Sequence, residues 1–71
     1  MAGFEQSEEF NQLLNESAQL LRQNRPGEAI AKLKPLYEKA PEHPDVAINL
    51  SGAYILQRRW NQAVKVLNKA V

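Results

Sequence analysis

Few side chains in this sequence could do chemistry, and their spacing speaks against catalysis. His43 is the only histidine, and there is no cysteine. His43 sits in the run Pro41-Glu42-His43-Pro44-Asp45. Glu42 and Asp45 do not complete a metal-ligand set around it. The lack of cysteine removes disulfides, thiolate chemistry and cysteine metal sites together. No serine, histidine and acid are placed to act together, and no glycine-rich loop is available to cradle a phosphate. The expectation is a protein without enzymatic activity, with no catalytic residue, no cofactor and no metal. What remains is hydrogen bonding. Asn15 and Asn49 lie 34 residues apart. An asparagine amide both donates and accepts, so it can pair with the N–H and C=O of an extended peptide. The plainer alternative is that both are ordinary exposed or cap-like residues of a repeated template. Arg58 and Arg59 precede Trp60, and cations beside an aromatic can stack on nucleic-acid bases. Cations near a helix C-terminus also answer the helix dipole, which accounts for them more simply. The net charge of +1 provides no field that would attract nucleic acid or an anionic membrane.

The elements that must position these residues read as helices. Ser7 is a suitable N-cap, with Glu8 and Glu9 in the first turn where the dipole favours negative charge. Phe10, Leu13, Leu14, Ala18, Leu20 and Leu21 then recur at helical spacing. Asn24-Arg25-Pro26-Gly27 predicts a turn. A second helix is expected from Gly27 or Glu28, with Ala29, Ile30, Leu33, Leu36, Tyr37 and Ala40 as its apolar positions. Pro35 deletes a backbone hydrogen bond inside it, at a cost of ~3 kcal/mol, and predicts a kink or local irregularity. Pro44 suits the first turn of a third helix, because its missing N–H does no harm there. Val46, Ala47, Leu50, Ser51, Tyr54 and Ile55 form the third stripe. Gln57-Arg58-Arg59-Trp60-Asn61 reads as the next turn, and Ala63, Val64, Leu67 and Ala70 as the apolar side of a fourth helix. Lys32, Lys34, Lys39, Lys65 and Lys69 read as a solvated outer face. Apolar residues make up 44% of the chain, which is the level of a folded domain. No apolar run approaches the roughly 18 residues of a membrane span, and no basic-then-apolar leader opens the sequence. The compartment is therefore unknown, with the cytoplasm as the default.

Residues 10–37 return in pattern as residues 44–71. Asn15, Ser17, Gln23, Arg25, Ala29 and Leu33 meet Asn49, Ser51, Gln57, Arg59, Ala63 and Leu67 at the same offset. Leu14/Ile48, Leu21/Ile55, Ala18/Gly52 and Ile30/Val64 match in character. A period of this size marks a repeat array. Asn49-Leu50-Ser51-Gly52-Ala53-Tyr54, followed by Trp60-Asn61-Gln62-Ala63-Val64 and Leu67, resembles a tetratricopeptide repeat. In the first copy Ser17, Leu20, Ala29, Leu33 and Pro41 fit the same pattern. Leu13 and Ala47 stand where the family has tryptophan. Glu16 stands where leucine is expected, which suggests that the outer edge of the first helix faces water and ends the array. The implied fold is all-α: two antiparallel helix-turn-helix hairpins stacked as a short superhelical array. Residues 1–9 would be a lead into the first helix, 10–43 one repeat, and 44–71 a second repeat incomplete at its C-terminal end. Ser17, Ser51, Ala29 and Ala63 are small where two helices must approach closely.

The resemblance implies a protein- or peptide-binding scaffold that takes an extended peptide or a partner helix on its concave face. That face would carry Asn11, Leu14, Asn15, Ala18, Leu21 and Arg22 from the first helix, and Asp45, Ile48, Asn49, Gly52, Ile55 and Leu56 from the third. Asn15 and Asn49 look like the asparagine ladder with which some members hold peptides regardless of sequence. Gly52 would either let a ligand backbone approach or simply serve helix packing. The family's carboxylate-clamp variety is poorly matched, since the inner positions offer Arg22 but no lysine, and Asp45 would oppose an acidic ligand. The alternative to a binding groove is a structural or oligomerisation segment of a larger repeat protein. In that reading the chain self-associates as a homodimer through an open edge formed by Val64, Leu67 and Val71.

Overall fold

The computed structural model describes residues 8–70, with side chains through residue 68. Four helices follow one another: α1 (Glu8–Arg22), α2 (Pro26–Lys39), α3 (Pro44–Leu56) and α4 (Trp60–Ala70). Among the described residues there is no strand. α1 packs on α2 and α3 on α4, as two hairpins, while α2 and α1 both pack against α3. The expected all-α stacked array is thus the observed architecture. Ser7 and Val71 lie outside the described residues.

Two helix starts differ from expectation. α2 begins at Pro26 and α4 at Trp60, so the turns are shorter than the sequence suggested. Proline at the first helical position has no N–H to waste and a φ already suited to the helix, so Pro26 starts α2 instead of breaking it. Pro35 lies inside α2, which runs through it without division.

The two turns share one geometry. The Asn24 N–H donates to the Leu21 carbonyl (3.0 Å) and the Arg25 N–H to the Leu20 carbonyl (2.8 Å). Thirty-four residues on, the Arg58 N–H donates to the Ile55 carbonyl (2.9 Å) and the Arg59 N–H to the Tyr54 carbonyl (2.8 Å). Asn24 and Arg58 both have φ of 60°, the left-handed conformation of a Schellman helix end. The repeat is therefore a repeat of hydrogen bonds as well as of residue types.

The core is one cluster drawn from all four helices: Phe10, Ala29, Leu33, Leu36, Val46, Ala47, Leu50, Tyr54, Ala63 and Val66. Full burial of each large member is worth roughly 1.5–3 kcal/mol. The small positions Ser17, Ser51, Ala29 and Ala63 are all buried. Each serine keeps its hydroxyl satisfied inside its own helix. Ser17 Oγ donates to the Leu14 carbonyl (2.7 Å) and Ser51 Oγ to the Ile48 carbonyl (3.0 Å). Val66 is a core residue that the fourth apolar stripe had not included, while Val64 and Leu67, which it had, are exposed.

Comparing equivalent positions shows why. Gln12, Glu16 and Gln19 on α1 become Val46, Leu50 and Ala53 on α3. The α3 residues are buried at 0–1% exposure, because the first hairpin covers them. On α1 the same side is polar. Glu16 there accepts from Lys32 at 3.1 Å and from Gln12 Nε2 at 3.2 Å. The Lys32 ammonium and the Gln12 amide hold the Glu16 carboxyl below its ordinary value of 4.5. The positions of Glu16 and Lys32 are taken in the second repeat by Leu50 and Val66, both core residues. One copy thus carries an ion pair where the other carries hydrocarbon.

Candidate peptide-binding face

α1 and α3 are neighbours, and the suspected inner positions fall on one side of each at intervals of three and four residues. From α1, Asn11, Asn15 and Arg22 are exposed, whereas Leu14, Ala18 and Leu21 are half-buried. Leu14 and Leu21 lean on the core. From α3, Asp45, Ile48, Ile55 and Leu56 are exposed, with Asn49 and Gly52 half-buried. Among the described residues, no side-chain hydrogen bond or ion pair engages Asn11, Asn15, Arg22, Asp45 or Asn49. Both asparagine amides therefore keep their hydrogen-bonding capacity.

α3 is apolar on nearly every side. Its inner stripe of Val46, Ala47, Leu50, Ala53 and Tyr54 fills the core. Its other side still shows Ile48 at 60% exposure, together with Ile55 and Leu56. A helix apolar all round is normally covered all round. Gly52 sits among these residues. A Cβ built there would meet nothing within 4 Å, so no packing among the described residues demands a glycine. Two other openings were not legible beforehand. An open cleft of about 530 Å³ lies on α2, α3 and α4, lined by Tyr37, Tyr54, Gln62, Lys65, Val66 and Asn68. A smaller one of about 260 Å³ lies at the α3–α4 turn.

The edge residues separate by copy. Ile30 is half-buried and Leu33 fully buried, but their equivalents Val64 and Leu67 are 53% and 40% exposed. Leu33 belongs to the core cluster and Ile30 packs against it, whereas Val64 and Leu67 stay outside it. His43 serves structure. It is half-buried with its ring 5.2 Å from that of Phe10, and its carbonyl accepts the Ala47 N–H at 3.0 Å. Among the described residues no group of three or more His, Cys, Asp or Glu could hold a metal ion. Nor is any described helix long and apolar enough to cross a membrane.

Fold, period and turn geometry together define a helical-repeat protein. Comparison with protein families matches residues 20–71 to the tetratricopeptide repeat, and the chain belongs to that family. Its members generally mediate protein–protein interaction. Neither the curated proteins nor the solved structures searched contain a match to the chain.

Proposed function

We propose that this protein is a non-enzymatic binding module that holds an extended peptide or partner helix along the α1–α3 face. The observation that carries the reading is the uncovered second side of α3: Ile48, Ile55 and Leu56 stand open around an unobstructed Gly52. Asn15 and Asn49, one repeat apart and without side-chain partners among the described residues, supply main-chain hydrogen bonds beside that apolar strip. Removing both amides would leave a ligand's N–H and C=O groups unpaired on binding, at about 1–3 kcal/mol for each group left so. The test is enrichment from a displayed random-peptide library. The parent protein enriches peptides. Asn15→Ala with Asn49→Ala retains the melting temperature and loses the enrichment. Equal enrichment by the double variant would sink the ladder.

A second reading rests on the contrast between copies. Val64 and Leu67 are the exposed counterparts of covered residues, so the α3–α4 side is also an unpartnered apolar surface. Two chains meeting there about a two-fold axis would cover it. The third residue assigned to this edge, Val71, lies outside the described residues.

A further inference from the structure

We infer that the α3–α4 turn is a second contact site, built for an acidic, apolar-containing segment of a partner protein. It adjoins the α1–α3 face at the end of α3 and shares Leu56 alone with it. The two turns share one backbone, yet their charges differ. In the first, Arg25 is neutralised by Glu28, 2.6 Å away in the opening turn of α2. The equivalent of Glu28 is Gln62, and the equivalent of the neutral Asn24 is Arg58. The second turn therefore gains a cation and loses its anion. Among the described residues neither Arg58 nor Arg59 has an ion pair or a side-chain hydrogen bond.

The backbone adds to this positive character. The first amide of α4 to find its partner four residues back is that of Ala63, bonded to the Arg59 carbonyl. The amides of Trp60, Asn61 and Gln62 precede it at the positive end of the helix. Arg58, Arg59, Trp60, Asn61 and Gln62 together line the opening of about 260 Å³.

Arg58 also occupies a conformation that favours glycine or asparagine, with φ of 60°. An arginine held there is strained, and such outliers gather at functional sites. Trp60 is 57% exposed, and Leu56, the last residue of α3, is exposed beside the turn. An exposed tryptophan with two arginines is the composition of an interface hot spot. These apolar neighbours select a peptide that mixes carboxylates with an apolar side chain. A nucleic acid would need a longer row of cations than two, and the chain's net charge is only +1.

Trp60 is the only tryptophan, so its fluorescence reports the site directly. The probes are the capped pentapeptide Asp-Leu-Glu-Phe-Asp, its Asn/Gln analogue and a short oligothymidylate. The acidic peptide should shift Trp60 emission saturably, and the neutral analogue should bind roughly tenfold more weakly or worse. Arg58→Gly should raise the melting temperature by relieving the left-handed residue, yet weaken the acidic peptide. Adding Arg59→Gln should bring the loss to roughly tenfold or more. Asn15→Ala with Asn49→Ala should leave the titration unchanged, which separates this site from the α1–α3 face. The inference is overturned by an absent response, by equal binding of the neutral analogue, or by binding of the oligothymidylate in preference to the peptide. It is equally overturned if the asparagine variants lose the titration.

Discussion

Replacing Gly52 with alanine should make the protein more stable and a poorer binder, and the two effects have separate causes. Gly52 is interior to α3, and its φ is not positive, so alanine can adopt the same backbone. Glycine in a helix interior costs about 0.5–1 kcal/mol relative to alanine, mostly because the unfolded chain has more freedom to lose. The new methyl meets no atom within 4 Å, so no steric cost offsets that gain. In a domain of this size 1 kcal/mol moves the melting temperature by roughly 4–8 °C, which places the expected rise at about 2–8 °C by circular dichroism. The same methyl protrudes between Asn49 and Ile55, where a ligand backbone would run, so peptides enriched by the parent should bind Gly52→Ala more weakly. An unchanged or lower melting temperature would refute the claim that this surface is open. A higher melting temperature with undiminished binding would refute the claim that the opening is used.

Other consequences follow from the contrast between copies. Leu33→Ala removes a fully buried side chain and should cost about 3–5 kcal/mol, a large share of the roughly 4–10 kcal/mol expected for a chain of this length. Leu67→Ala, at the equivalent but open position, should cost about 1 kcal/mol or less by urea titration. If the open side pairs chains, light scattering should show a mass that rises with concentration, and Leu67→Glu should abolish the rise. The Glu16 carboxyl is held low by Lys32 and Gln12, so its contribution to stability is present above pH 4.5 and is lost as pH falls through the lowered value. Glu16→Gln should therefore flatten the acid side of the stability profile, as followed by thermal melts across that range.

Much of this architecture is legible in the residues themselves. Ala29, Ala63, Ser17 and Ser51 are small because helices cross there, and the repeat exposes them by recurrence. Glu16 stands out as a polar residue in an apolar place, and its pairing with Lys32 shows how an outer side is made compatible with water. Val66 was not legible. The spacing of Ala63, Val64, Leu67 and Ala70 fits a helix stripe equally well, and only the packing of α4 against its neighbours decides which side turns inward. Pro26 illustrates a local ambiguity, since proline after a turn can end one element or begin the next. Of the candidate face, the repeat itself shows that Asn15 and Asn49 are equivalent positions on α1 and α3. The openness of Gly52 was not legible, because a small residue in a repeat usually marks close packing and only coordinates show that space is empty.

That ligands lie on the α1–α3 face is tested most directly by an amide chemical-shift map. A peptide enriched by the parent protein would be titrated into the isotopically labelled chain. Saturable shifts should concentrate at Asn15, Ala18, Ile48, Asn49 and Gly52. Shifts confined to Val64, Leu67 and their neighbours, with the α1–α3 face silent, would contradict that placement.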